Sequence, residues 1–263
     1  MEIKNKVFVV TGAGSGMGRQ LALQLAQKGA HLALADVNEN GLNETKHLAK
    51  NAKVSIHVLD ITNRDVVGKF PAEVIQEHGQ IDGLINNAGI IQPFVDVNDL
   101  SFEVIDRIMN VNFNGMVNMT KAFLPHLLKR PVAHIANVSS MGGFIPFPGQ
   151  TLYSASKAAV KIFTEGLYSE LKDTNVGVTV IHPGAVNTNI MTNSGLEAPK
   201  ATTDASAMKM LEADEAAAIM IDAIERNKFR VLVGKDARML DVFYRFSPKR
   251  AVDMIVKKMS VMK

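Results

Sequence analysis

The sequence encodes an α/β domain whose parallel, doubly wound sheet should hold about seven strands. Three observations carry that expectation. Short apolar runs alternate with amphipathic stretches from Val7 to Val233. Glycine, asparagine, aspartate or serine closes nearly every apolar run at its C-terminal end. The 263 residues are 47% hydrophobic, enough to bury one sizeable core, and show no internal repeat, low-complexity segment or interdomain linker. A single domain over 1–263 is therefore expected, since the helical stretches supply the crossovers that parallel strands need.

Val7–Val10 reads as a buried strand closed by Thr11 and Gly12. The run Gly12-Ala-Gly-Ser-Gly-Met-Gly18 then opens a helix marked by Leu21, Ala22, Leu25 and Ala26. Glycines at such a junction allow a tight turn and close approach of backbone to a ligand. The helix N-terminus offers free N–H groups and a positive dipole end to phosphate. A glycine-rich loop can also be a plain turn, so the next strand matters. His31–Ala35 completes a βαβ unit and ends at Asp36. An acidic residue there suits a ribose 2′-hydroxyl and repels a 2′-phosphate. No Arg or Lys follows at Val37 or replaces Ser15, so NAD is favoured over NADP. Asp36 could equally cap a helix over 38–50, and the two roles are compatible.

Val54–Leu59 is a third strand ending in Asp60, followed by an amphipathic helix over 63–78. Ile81–Ile85, the fourth, leads into Asn86-Asn87-Ala88-Gly89, small and amide residues that suit packing over a flat cofactor. A long helix is expected from Phe102 to Leu128 with Asn112 in its middle. Asparagine is a poor choice there, which marks a satisfied core amide, a kink or a functional residue. Val132–Val138 delivers Ser139 and Ser140 to the same edge, and Val176–Ile181 ends in His182-Pro183-Gly184. The loops at 11–18, 36, 60, 86–89, 139–144 and 183–188 thus converge on one crevice at the strand C-termini.

Residues 189–212 break the alternation, as a substrate lid or a tolerated surface loop. Arg230–Val233 is a last strand. Two short amphipathic helices then span 236–263, with Ser247 and Pro248 starting the second. Met239, Leu240, Phe243, Phe246, Ile255 and Met259 in them could be buried, meet a partner subunit or touch lipid. The formal net charge of +3 is uneven: residues 226–263 hold eleven Lys and Arg against three Asp, or +8, which leaves −5 for 1–225. A solvated rim is the preferred reading of that basic end, with peripheral membrane contact as the alternative. Nothing points to nucleic acid. The chain has no cysteine, which excludes disulfides, thiolate catalysis and thiolate zinc sites, and its seven scattered histidines give a metal site little support. With no secretory signal and no long apolar run, cytoplasmic residence is expected.

The chemistry concentrates in 137–157. Tyr153 and Lys157 are four apart on a helical pattern, so the ammonium can lie beside the phenol. A free tyrosine titrates near ~10, and a neighbouring positive charge lowers that value. Tyr168 and Lys172 repeat the spacing. Thirteen residues before Tyr168, however, stands Ala155, whereas thirteen before Tyr153 stands Ser140, at the end of an apolar run. Spacing selects Tyr153.

The ordered set Thr11-Gly12-x-x-x-Gly16-x-Gly18, Asp36, Asp60, Asn86-Asn87-Ala88-Gly89, Asn112, Ser140, Tyr153-x-x-x-Lys157 and Pro183-Gly184-x-x-x-Thr188 resembles the short-chain dehydrogenases/reductases from Lys6 to Val233. The resemblance implies a Rossmann fold and hydride transfer between a nicotinamide cofactor and an alcohol or carbonyl. It makes Tyr153 the general acid/base, aided by Lys157, which also holds the nicotinamide ribose. Ser140 would bind the substrate oxygen and Asn112 a water that links Lys157 to solvent. Gly12, Ser15, Gly16, Met17 and Gly18 would cradle the pyrophosphate; Asp36 would take the adenosine ribose, with Asp60 and Ile61 near the adenine. Asn87, Ala88 and Gly89 would line the cofactor, with Pro183, Gly184, Val186 and Thr188 at the nicotinamide end. The implied assembly is a homotetramer or homodimer through 102–128 and 153–172. The implied substrate wall of Ile90, Gln92, Phe94, Ser140, Met141, Gly142, Phe144, Gln150, Val186 and Met191 has no Arg or Lys, which points to an apolar secondary alcohol or ketone. An NADPH-linked ketone or 3-oxoacyl thioester reductase is the alternative enzyme, and a non-catalytic NAD-sensing interaction protein the alternative of another kind.

Overall fold

The computed structural model describes residues 1–50, 52–196 and 210–260. Its first half runs β1 (Val7–Thr11), α1 (Gly16–Gln27), β2 (His31–Asp36), α2 (Glu39–Leu48), β3 (Val54–Val58), α3 (Arg64–His78) and β4 (Gly83–Asn86). Next come α4 (Phe102–Met109), α5 (Met116–Leu127), β5 (Ala133–Val138), α6 (Thr151–Leu171) and β6 (Val176–Pro183). The two-residue β7 (Val186–Asn187), α7 (Ile190–Asn193) and β8 (Leu211–Glu212) lead to α8 (Ala213–Glu225) and β9 (Arg230–Val233). The chain closes with α9 (Lys235–Phe246) and α10 (Pro248–Ser260).

Seven strands form one sheet in the order β3-β2-β1-β4-β5-β6-β9, every neighbouring pair parallel. Strand order reverses between β1 and β4, and the crevice outside the carboxyl ends at that point is where such sheets bind ligands. Side chains of β1 alternate between the two faces, and both faces are apolar because helices cover both. Phe8 and Val10 join Leu21, Leu32, Met220 and Ile221 on the side of α1 and α8. Val7 and Val9 join Phe70, Met119, Phe123 and Leu167 on the side of α3, α5 and α6. Phe70 and Phe123 meet edge-on there, with ring centroids 5.3 Å apart.

Two expectations are revised. The single helix over 102–128 is broken by a π-helical segment, Asn110–Gly115. Such an insertion re-aims side chains within a helix, and here Asn112 points inward to hydrogen-bond Ile90 and Ser156. The helix after Asp36 is capped by Asn38, whose Oδ1 accepts from Gly41 N at 3.0 Å, not by Asp36. Within 189–212 the structure places α7 and β8, the latter pairing with β7 just before that stretch; residues 197–209 of the expected lid lie outside the described residues.

The C-terminal helices are real and form their own small core. Leu240, Ala251 and Ile255 pack with Met141 and Ile145, with Phe243 and Met259 partly buried against them. Met239 and Phe246 remain exposed. No helix among the described residues is long and apolar enough to cross a membrane.

Candidate active site

At the carboxyl ends of β1, β2 and β4 a crevice of about 560 Å³ opens. Gly12, Ser15, Gly16, Met17, Asp36, Asp60, Ile61, Asn87, Ala88, Gly89 and Thr188 line it, all expected from the sequence. Gly12 has φ +66°, and a side chain there would come within 2.9 Å of Ala88 Cα. A Cβ on Gly18 would run into the Gly12 carbonyl, so Gly18 serves the packing of α1 under the loop and does not line the crevice. The Thr11 hydroxyl accepts from the backbone N–H groups of Asn87 and Ala88 at 3.0 and 3.1 Å, which ties the β1 and β4 loops together.

Asp36 holds a defined carboxylate. Its Oδ2 accepts from Gly14 N at 2.9 Å and its Oδ1 from Asn38 N at 3.0 Å. On the far wall, Asn193 Nδ2 donates to Ser15 Oγ at 2.8 Å, laying α7 against the glycine-rich loop. These features fit a dinucleotide: a side-chain-free cradle at a helix N-terminus, a carboxylate at the end of β2, and the buried Asn87 Oδ1 with no hydrogen-bond partner among the described residues.

The reacting end lies beyond β5. Ser140 Oγ accepts from Gly142 N at 3.0 Å, and its hydroxyl faces the Tyr153 phenol. A Cβ on Gly142 would stand in ordinary contact, 3.4 Å, with both Ser140 Oγ and Tyr153 Cε1, so this glycine borders the pair. One turn along α6, Lys157 Nζ donates to Val138 O at 3.0 Å and lies 5.9 Å from the centre of the Tyr153 ring. Asn112 Oδ1 accepts from Ile90 N at 2.8 Å, while its Nδ2 donates to Ile90 O and Ser156 Oγ, so this amide braces the loop after β4 against α6. Nothing reaches Tyr168 in this way: it stacks on Phe229, with centroids 4.5 Å apart, and belongs to no such cluster.

Electrostatics correct one expectation. Burial pushes the Tyr153 phenol above its ordinary value, and the Ser140 hydrogen bond opposes that push. Burial also pulls Lys157 down to about 8. In the protein alone desolvation outweighs the helix-neighbour attraction, because the ammonium is directed at the Val138 carbonyl rather than the phenol oxygen.

The expected substrate wall divides. Ile90 lines the crevice, and Met141 and Gly142 flank Ser140. Gln92 is fully buried and staples the start of α6: its Oε1 accepts from Leu152 N and Tyr153 N at 2.8 and 3.0 Å, and its Nε2 donates to Gly149 O. Gln150 Nε2 donates back to Gln92 O. Phe144 stacks edge-on against His182 and under Arg230, facing the C-terminal helices instead of the crevice. Gly184 lies against the Asp236 carboxylate, and Val186 packs on the core beside α8. Pro183 is buried as the last residue of β6, half-exposed Phe94 lies beside Gly149, and Met191 sits on α7; neither Phe94 nor Met191 lines the crevice.

Several residues escaped the sequence reading. Arg107 and Val111, one turn apart on and just after α4, line the crevice. Ser154 Oγ is buried without a hydrogen-bond partner among the described residues and stands 3.4 Å from where a Gly142 Cβ would be. His182 Nδ1 lies 3.0 Å from the Ser140 carbonyl, and burial holds its imidazole near 4. The ring is therefore neutral at pH 7, and its Nδ1–H donates to Ser140 O. Position immediately before the Pro-Gly pair was its only signal. No group of His, Asp or Glu able to hold a metal ion occurs among the described residues.

A Rossmann sheet with a glycine-rich turn at its switch point and a Ser–Tyr–Lys cluster beside it defines a nucleotide-binding oxidoreductase. The chain belongs to the short chain dehydrogenase family, whose sequence profile matches residues 6–198. It is 39% identical over 251 residues to a putative oxidoreductase, SadH, of Mycobacterium tuberculosis, covering 92% of this chain and 91% of that one. A short-chain dehydrogenase/reductase from Burkholderia phymatum, solved in complex with NAD, superposes with a TM-score of 0.85 at 30% identity, over 95% of this chain and 96% of that one. A short chain dehydrogenase from Burkholderia cenocepacia in complex with NADP gives 0.81 at 27% identity, over 97% and 99%.

Proposed function

We propose that this protein transfers hydride between NAD(H) and an apolar secondary alcohol or ketone, with Tyr153 as general acid/base. The observation that carries the proposal is the clustering of the Ser140 and Tyr153 hydroxyls beside a crevice that fits a dinucleotide, with Lys157 one turn below. Bound nicotinamide would supply the hydride-accepting or hydride-donating carbon. Ser140 and Tyr153 then fix the substrate oxygen between two hydroxyls, and Tyr153 takes the carbinol proton in oxidation or returns it in reduction. Lys157 holds the ribose hydroxyls and keeps positive charge beneath the phenol, favouring the phenolate formed when the proton leaves. Ser140 stabilises negative charge developing on that oxygen. Asn112, braced by Ile90, borders the route by which a proton leaves Lys157 for solvent.

Asp36 supports NAD, because its carboxylate occupies the position a 2′-phosphate would need. Use of NADP is the second reading; Arg107, which lines the same crevice, and the NADP-bound relative favour it. Ile90, Met141 and Met191 support an apolar substrate. Exposed Phe102 and Ile162 on α4 and α6 support assembly of copies through those helices, for which light scattering is the check. Residence in the cytoplasm accompanies this reading.

The test is reduced-nicotinamide absorbance with NAD or NADP against a panel of apolar secondary alcohols. Turnover with NAD, abolished by Tyr153→Phe while NAD still binds, is the expected result. Turnover retained in that variant would remove Tyr153 from the proton route, and strong preference for a dianionic substrate would contradict the apolar wall.

A further inference from the structure

We propose that α7 is a strap across the dinucleotide crevice and that Asn193 is its clasp, setting how fast a dinucleotide enters and leaves; this rests on the reading of the crevice as a dinucleotide site and not on the role of Tyr153. Thr188, Ile190 and Asn193 line the same crevice as Ser15, Gly16 and Ile90. Three contacts fasten the stretch. Asn193 Nδ2 donates to Ser15 Oγ at 2.8 Å, in the glycine-rich turn after β1. The next residue reaches the loop after β4, where Ser194 Oγ accepts from Ile91 N at 2.9 Å. A Cβ on Gly16 would stand 3.3 Å from Thr188 Cβ, so the root of α7 also rests against the glycine-rich turn. β1 and β4 are the neighbours between which strand order reverses, and a segment tied to the loops after both spans the crevice there.

The ties differ in kind. Ser194 is buried, and its Oγ also donates to Ile190 O at 2.6 Å, so that end belongs to the fold. Ahead of α7, Val186 and Asn187 pair with Leu211 and Glu212, and Ala185 N donates to Asp236 Oδ2 at 2.7 Å. Asn193, by contrast, is exposed, and its bond to Ser15 faces solvent. α7 is only four residues long and is followed by Gly195 with φ +79°. A short helix secured on one side by a single solvent-exposed hydrogen bond opens at little cost, because water replaces that bond when it breaks. The bond also has a direction. Ser15 Oγ is the acceptor, so its own proton is left to donate to a phosphate in the cradle. The clasp therefore suits the occupied crevice as well as the free one, and it must open for a dinucleotide to pass. A clasp present in both states changes the rates of exchange and leaves the affinity nearly unaltered.

Stopped-flow fluorescence with NADH, and with NADPH in parallel, tests the strap on the full chain. In Asn193→Ala the association and dissociation rates should both rise about threefold, the scale of one solvent-exposed hydrogen bond, with their ratio within about twofold of the parent. The same substitution made in a Ser15→Ala background should change the rates less than it does alone, because the clasp is already gone. Circular dichroism confirms folding of every variant. Unchanged rates in Asn193→Ala overturn the proposal. Faster dissociation with unchanged association also overturns it, since that result makes Asn193 a direct contact of the dinucleotide. Full additivity of the two substitutions does the same. A parent protein that binds neither dinucleotide refutes the reading of the crevice itself, and the strap falls with it.

Discussion

Ser140 is held from both sides of its peptide, and that determines what its hydroxyl can do. Gly142 N addresses the side chain, while His182 Nδ1–H and Gly143 N address the carbonyl. Replacing His182 by Phe keeps a ring against Phe144 but removes one of those donors. Turnover should fall about tenfold, equivalent to about 1.4 kcal/mol, with dinucleotide affinity unchanged. His182→Asn, which preserves a donor near Nδ1, should recover part of the loss; steady-state kinetics and a binding titration together decide the point. The glycine-rich loop, Asp36, Ser140, Tyr153 and Lys157 were legible in the sequence because their spacing is local. His182 and Ser154 were not, since their roles come from strands and loops that meet only in three dimensions. Gln92 and Phe144 were placed on the substrate wall for the converse reason: position in a loop is readable, but the direction of a side chain is not.

At the scale of elements, the first turn of α6 is the part on which the site depends. Its N-cap residue, Gln150, makes no side-chain capping bond; the free N–H groups of Leu152 and Tyr153 are satisfied from outside by Gln92. A Gln92→Leu variant leaves both donors and the Gly149 carbonyl unpaired. A loss of roughly 1–3 kcal/mol per buried orphan group sets the scale, so the urea midpoint should drop clearly, and turnover should fall more than dinucleotide binding. An unchanged midpoint would mean water replaces the glutamine. The π segment is a second dependent element. A side chain on Gly115 would approach Ile61 Cγ1 to 2.6 Å, so Gly115→Val should displace Ile61 and weaken dinucleotide binding, as read by calorimetry. Strand and helix existence followed from periodicity almost throughout. The π insertion did not, because a helix and a helix with one wide turn share nearly the same apolar pattern.

At the scale of the whole molecule, buried neutral histidines govern the response to acid. Burial holds His134 near 3 and His182 near 4. Between those values and the unfolded value of about 6.5 the unfolded chain binds more protons, so stability falls as pH drops through that window. At pH 5 the loss is roughly 2 kcal/mol for each ring relative to pH 7.5. Denaturation midpoints measured from pH 7.5 to 5 should fall steadily, and His134→Gln should remove a share of the slope. A flat profile over that range would mean these rings take up protons in the folded state. The basic C-terminal end was visible in the charge count, but which of its apolar residues stay outside emerged only from the packing of α9 and α10 on Met141 and Ile145.

The hold on Asp36 bears on how readily this lineage could exchange one currency of reducing power for another. The carboxylate masks two backbone N–H groups, those of Gly14 and Asn38, in a crevice that Arg107 also lines. Exchanging Asp36 for a small neutral residue therefore does more than lift a repulsion. It uncovers two donors in a crevice that Arg107 also lines, a setting that suits a further phosphate. On the proposed NAD reading, a single nucleotide change in that codon would shift the preference toward the 2′-phosphorylated cofactor.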